Sequence, residues 1–163
     1  VDAKRLLNVV GELSLVAGAP GLVGGQVVDL ECEGKKVDLE TLEYIHLHKT
    51  GALLKACVRT GAMIAGADEK LLAALTSYAE GIGLAFQIID DILDVTASSE
   101  TLGKTAGKDL LADKTTYPKL LGLEESKKRA LNLVKEAKEA IIPWGEDANY
   151  LLSLADFITN RDR

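Results

Sequence analysis

The chain has 163 residues, 47% of them hydrophobic, with 19 basic and 25 acidic side chains and a formal net charge of −6. That length and composition suit one globular domain with a continuous core and exclude a disordered chain. An acidic balance without a basic stripe also argues against a general nucleic-acid binder, which must track phosphates with Lys and Arg.

Apolar residues recur at helical spacing nearly throughout, and the alternating Val/Ile/Thr runs of strands are missing. The expected fold class is therefore all-α, in a single domain over residues 1–163. A first helix is predicted over Ala3–Ala17, broken by Gly18-Ala19-Pro20-Gly21. Its Leu6, Leu7, Val9 and Val10 read as packed residues. The start VDAKRLLNVV has neither an initiator Met nor a signal or transit pattern, so the sequence reads as beginning inside a structure. A second helix, Leu22–Cys32, stops at the polar turn Glu33-Gly34-Lys35-Lys36. Asp38 is placed to cap a third, in which Leu39, Leu42, Ile45 and Leu53 supply apolar contacts as far as Gly66. Asp68 is placed to cap a fourth, whose long apolar face runs through Leu71, Leu75, Ile82, Phe86, Ile89 and Leu93 to Thr96.

Residues 98–116 read as a Gly- and Lys-rich loop. Pro118 then opens a short helix that Gly122 ends, and helices over Glu124–Ile142 and Glu146–Asn160 flank Pro143-Trp144-Gly145. No uninterrupted apolar run approaches the roughly 18 residues of a membrane span. Cys32 and Cys57 have neither CxxC spacing nor a His/Cys cluster nearby, so they read as reduced thiols in a reducing compartment.

The fourth helix ends in GLAFQIIDDILDV (83–95), which sets Asp90, Asp91 and Asp94 among core residues. At spacings of three and four, these carboxylates project toward one end of the helix, where like charges cost about a few tenths of a kcal/mol per exposed pair. The cost grows where Ile88, Ile89, Ile92 and Leu93 exclude water. A solvated acidic stripe is the plain reading of such a pattern; a bound cation is the functional one. EF-hand calcium spacing is absent, and neither His46 nor His48 forms a zinc-ligand pair with the motif. Magnesium fits best, because it takes one or two carboxylates and completes its octahedron with water and phosphate oxygens. Lysines stand ready to meet such a phosphate: Lys104, Lys108 and Lys114 in ETLGKTAGKDLLADKTTYPK (100–119), and Lys49 beside Thr50 in HLHKTG (46–51). Individually each reads as a surface residue; together with the aspartates they read as a phosphate cage.

FQIIDDILD followed by GKTAGKD, together with GLVGGQVVDL (21–30), LEYIHLHKTGALL (42–54) and ITNR (158–161), resembles the trans-isoprenyl diphosphate synthases, in particular geranylgeranyl diphosphate synthases of plants and photosynthetic bacteria. The resemblance implies an all-α bundle around a central cavity. It implies Mg²⁺, or Mn²⁺ in its place, holding an allylic diphosphate between two aspartate-rich motifs for condensation with isopentenyl diphosphate. It implies Asp90, Asp91 and Asp94 as the second motif, with Asp90 and Asp94 foremost as metal ligands. Gln87 would contact substrate or cation, Lys49 would hold the diphosphate with Thr50 beside the developing cation, and Lys104 and Lys114 would hold diphosphate. Lys108 and Asp109 read equally well as a loop-ordering ion pair. A homodimer or heterodimer in the cytoplasm, or in the stroma of a plastid, is implied as well.

This sequence departs from the family in carrying no first aspartate motif. Asp29, near GGQVVD, stands alone and does not replace it. The chain therefore resembles the C-terminal half of a synthase, expected not to turn over by itself. Two other readings remain open. One is a non-catalytic or split subunit of a heteromeric synthase. The other is a ferritin-like di-iron bundle, suggested by Glu43-x-x-His46, although Glu80 is followed by Gly83 where a second His would stand.

Overall fold

A computed structural model describes residues 1–96 and 114–161, and among them the chain is helical with no strand. Helices α1 (Ala3–Ala17), α2 (Leu22–Glu31) and α3 (Leu39–Ile45) are followed by a six-residue π-helical segment, His46–Gly51. Then come α4 (Ala52–Ala65) and the long α5 (Glu69–Thr96). Beyond residue 113 lie α6 (Tyr117–Leu121), α7 (Leu123–Ile141), a 3₁₀ stretch (Ile142–Ala148) and α8 (Asn149–Asn160). The helices fall where the sequence places them, with one internal difference. Leu39 to Ala65 is not one regular α-helix but two α-helices joined by the π segment, a widened turn frequent at functional sites.

Local chemistry sets the ends. Asp2, Asp38 and Asp68 each accept a hydrogen bond from a backbone N–H three residues on, at 3.0, 2.9 and 2.7 Å, satisfying donors that a helix start leaves open. Gly66 ends α4 at φ 84°, a left-handed conformation that costs a residue with a Cβ.

Helix α5 is the axis of the fold, packing against α4, α6, α7, α8 and the π segment. Toward its N-terminal half, Tyr78, Ala79, Ile82 and Ala85 close with Val134, Ala137 and Ile141 of α7 and Ala155 and Ile158 of α8. Toward its C-terminal half, Leu84, Ile88, Ile89 and Ile92 close with Leu42, Tyr117 and Ala130. The buried Tyr78 hydroxyl donates to the carbonyl of Leu151 at 2.7 Å and fixes α8 against α5. By contrast α1 buries no residue: Leu6, Leu7 and Val10 are 48%, 69% and 59% exposed, so the face read as packed has no cover among the described residues.

Two segments, Ala3–Glu31 and Glu69–Thr96, are long and apolar enough to cross a membrane by length and composition. Neither contains an uninterrupted apolar run, which is why the sequence pattern alone did not single them out. The first is broken into α1 and α2, and the second is the core helix α5.

Backbone crowding locates the π segment. A Cβ added at Gly25 of α2 would lie 2.3 Å from the Lys49 nitrogen, and one at Gly83 of α5 would lie 3.3 Å from the Gly51 Cα. Both obstacles are main chain, which cannot swing aside. Gly25→Ala is therefore expected to destabilise the fold by about 1–3 kcal/mol in urea denaturation. Gly61→Ala in α4, where a Cβ meets nothing within 4 Å, is the counterpart and should be neutral or stabilising by up to ~1 kcal/mol.

Candidate active site

The last two turns of α5 present Gln87, Asp90, Asp91 and Asp94, and the structure gives the three carboxylates different environments. Thr50 Oγ1, in the π segment, donates to Gln87 Oε1 at 3.2 Å, and Gln87 Nε2 donates to Asp90 Oδ2 at 3.3 Å. A polar string thus runs from Thr50 to the first aspartate. The other oxygen of Asp90 is paired with the guanidinium of Arg161, which also donates to the Phe86 carbonyl at 3.2 Å and lies 4.1 Å from the Phe86 ring centroid. Burial pushes the Asp90 carboxyl above its ordinary 3.8; Arg161 opposes that shift and the neighbouring charge of Asp91 reinforces it. Asp94 is partly buried and, among the described residues, has no hydrogen bond or ion pair.

Asp91 is turned the other way. It is 8% exposed, and its Oδ2 accepts from the Tyr117 backbone N–H at 2.8 Å and lies 3.3 Å from His46 Nε2. The imidazole of His46 and the ring of Tyr117 are stacked, with centroids 5.7 Å apart. The Tyr117 hydroxyl donates to Glu43 Oε1 at 2.9 Å, and Arg129 pairs with the same oxygen. Burial, then Glu43, hold the Tyr117 hydroxyl well above its ordinary 10.0. Glu43 and His46 are thus engaged by different partners and do not converge as a di-iron ligand pair would.

The lysines converge on a residue that sequence reasoning set aside. Lys49 Nζ donates to Asp29 Oδ2 at 2.6 Å, and Lys114 Nζ stands 3.6 Å from the same oxygen. Desolvation alone would raise the Asp29 pKa, but the hydrogen bond from Lys49 and the charges of Lys114 and Lys49 outweigh it and leave the group below 3.8. The legible signal was Gly25, four residues earlier on the same face of α2, where a small residue allows close approach to Lys49. Arg161, alone after an apolar helix, gave a weaker signal. Lys104, Lys108 and Asp109 lie outside the described residues.

Asp90 and Asp94 offer oxygen donors only, the set that suits a hard cation such as Mg²⁺ or Mn²⁺. Among the described residues no group of three or more His, Cys, Asp and Glu could hold a metal alone. A cation here would draw its remaining ligands from water and from an anionic ligand, which is how magnesium ordinarily meets phosphates. Asp29 and Lys114 line a small cavity with Val37, Leu42, Ile45 and Thr115. A cavity of about 810 Å³, lined in part by Val58, Leu71, Leu75, Trp144 and Leu151, lies elsewhere and includes none of these residues.

An all-α frame carries carboxylates at a helix end and two lysines brought together on Asp29, oxygen donors and cations of the kinds that bind phosphorylated ligands through a hard cation. Residues 4–143 match the sequence pattern of the family described as Polyprenyl synthetase, and the chain belongs to that family. It is 56% identical over 162 residues to the dimethylallyltranstransferase of Fischerella ambigua (strain UTEX 1903), covering 99% of this chain and 47% of that protein. It is 51% identical over 163 residues to the geranylgeranyl diphosphate synthase of Cyanophora paradoxa, covering 99% of this chain and 54% of that protein. Its fold is similar to that of the Helicobacter pylori geranyltransferase complexed with magnesium and isoprenyl diphosphate, with TM-score 0.79, 30% identity, and 98% of this chain matched to 52% of that one. The chain thus spans about half the length of the relatives it matches.

The depressed pKa of Asp29 makes a signed prediction. Its carboxylate contributes stability that is fully present above the unfolded-state value, near 3.8, and is lost as the pH falls through the lower folded-state value. In urea melts, the advantage of the natural chain over Asp29→Asn should be constant from pH 7 to ~5 and shrink below pH 3.8. An advantage unchanged at the acid end would show that the carboxylate charge is not what the lysines hold.

Proposed function

We propose that this chain carries the second aspartate motif and the diphosphate-binding lysines of a prenyltransferase that condenses isopentenyl diphosphate with an allylic diphosphate, with geranylgeranyl diphosphate as the favoured product. The observation that carries this reading is the string Thr50–Gln87–Asp90, with Asp94 unpartnered beyond it among the described residues, and with Lys49, next to Thr50 in the chain, gathered with Lys114 on Asp29.

In this reading Asp90 and Asp94 hold Mg²⁺, or Mn²⁺ in its place, and Lys49, Lys114 and Lys104 take up the remaining diphosphate charge. The bound cation would neutralise the diphosphate as the allylic C–O bond breaks. The residues of this chain do the rest. Gln87 orients the Asp90 carboxylate toward the ligand, and Thr50 places a hydroxyl oxygen beside the positive charge that develops on the allyl group. Arg161 neutralises Asp90 until a cation shares it. Apolar side chains flanking the motif keep water from the allylic cation, which the double bond of isopentenyl diphosphate attacks before a proton is lost.

The first aspartate motif is not among these 163 residues, so the isolated chain is expected to bind without turning over. Two measurements test this together. Calorimetric titration with Mn²⁺ and inorganic pyrophosphate should show binding that Asp90→Asn combined with Asp94→Asn weakens at least about tenfold. Incubation with radiolabelled isopentenyl diphosphate and an allylic diphosphate should show no incorporation. Failure of the natural chain to bind would overturn the reading; rapid incorporation would overturn the restriction to half a site.

A further inference from the structure

We propose that Asp91 is a positioning residue: one buried carboxylate that sets the registration of both lysines. The inference rests on the reading above for what those lysines do, but the clamp itself stands on geometry alone. Asp91 is 8% exposed, and a carboxylate so buried is tolerated only with partners. Both partners lie on other elements. His46 is the first residue of the π segment, with Lys49 and Thr50 three and four residues on. Tyr117 opens α6, and its N–H is one of the donors that a helix start leaves open, with Lys114 three residues before it.

Through these bonds Asp91 fixes two strands of backbone to α5. Each delivers a lysine, and the two lysines meet at the same oxygen of Asp29. The returning chain has a further anchor in Thr115, whose hydroxyl accepts from the Val37 N–H at 3.4 Å. The π segment is further held by Thr50 on Gln87 and by its packing against Gly25. Asp91 contacts both segments and is therefore the point at which their positions are coupled. Adjacent Asp90 faces Gln87 and Arg161, so two neighbouring aspartates of one motif divide the work, one toward ligand and one toward scaffold.

Hydrogen exchange on the purified chain, followed by peptide, tests the clamp without ligand. Asp91→Ala should speed exchange at least about tenfold in both 46–51 and 114–121 while α7 exchanges as before. Asp91→Asn, which keeps the shape and an acceptor for the Tyr117 N–H, should restore both segments to within about threefold, and Asp90→Asn should move neither. Acceleration in only one segment, or in neither, overturns the proposal. Should Asp91→Ala lose its helical circular dichroism, His46→Gln carries the test: it should speed 46–51 and leave 114–121 protected, and no change in 46–51 would overturn the clamp.

Titration with Mn²⁺ and pyrophosphate separates positioning from ligation. Asp91→Asn should keep Mn²⁺ affinity within about threefold where Asp90→Asn loses about tenfold or more, and an equal loss in the two variants would overturn the positioning role. If Asp90→Asn binds Mn²⁺ as the natural chain does, or if the natural chain binds none, the synthase reading fails while the exchange result still decides the clamp.

Discussion

The π segment is held between two glycines, and that want of space is the constraint on which the site depends. Gly25 lies against the backbone at His48 and Lys49, and Gly83 against Gly51. Neither contact leaves room for a Cβ without main-chain movement. Because α2 and α5 each come so close to the π segment, short side chains suffice to cross between elements: a threonine hydroxyl reaches Gln87 at 3.2 Å, and an aspartate reaches Lys49 at 2.6 Å. Short side chains lose less conformational freedom than long ones when they are ordered. The site's backbones are close because of glycines that carry no chemistry of their own.

Three carboxylates at the end of one core helix would be unfavourable if they shared one environment, since burial and mutual repulsion both oppose ionisation. The structure separates them. Asp91 is the most buried and has two neutral-capable partners, a backbone N–H and an imidazole. Asp90 has a full cation in Arg161 but still titrates above its ordinary value, because desolvation is the larger effect. Asp94 stands at the last turn, where fewer neighbours cover it. Repulsion between Asp90 and Asp91 is a cost that the core packing of α5 absorbs, with Ile88, Ile89 and Ile92 each at most 9% exposed. A destabilised carboxylate beside one that is unpartnered among the described residues is the kind of arrangement found at sites that serve a ligand.

Helix order and type were legible from the sequence because caps and breakers sit where the chain needs them: Asp38, Asp68, Gly66 and Gly122 bound elements whose apolar spacing is regular. The π segment was not, because HLHKTG has nothing that distinguishes a widened turn from a regular one; its cause is tertiary, the packing of Gly51 on Gly83. The polar string from Thr50 through Gln87 joins residues the sequence had singled out separately, each for its own role toward the ligand. Asp29 was set aside because it is one acid in an apolar helix, and its meaning depends on two lysines that are 20 and 85 residues away in the chain. Asp91 read as a metal-motif residue behind Asp90 and Asp94, and its scaffold contacts were not legible because helical spacing gives its angle on α5 and not which elements stand there.

Hydropathy alone does not separate α5 from the α1–α2 stretch, yet their surroundings differ completely. The apolar window in Glu69–Thr96 is 44% buried, and that in Ala3–Glu31 is 6% buried. Five elements surround α5. Helix α1 has mainly α4, reached by the Arg59 guanidinium, which binds Glu12 and also donates to Thr76 of α5 at 2.6 Å. That ion pair is largely shielded, with side chains 21% and 17% exposed, so it constrains the helix more than a surface pair would. An exposed row of Leu6, Leu7, Val10 and Leu13 on a helix so oriented is larger than the scattered apolar exposure ordinary on protein surfaces. Helix α1 thus turns Val9, Glu12 and Val16 toward the fold, with Glu12 on Arg59, while Leu6, Leu7, Val10 and Leu13 face out. Apolar side chains are thus divided between two faces of α1, and α2 repeats the pattern, exposing Val23, Val27 and Leu30 while burying Gly25 against the π segment.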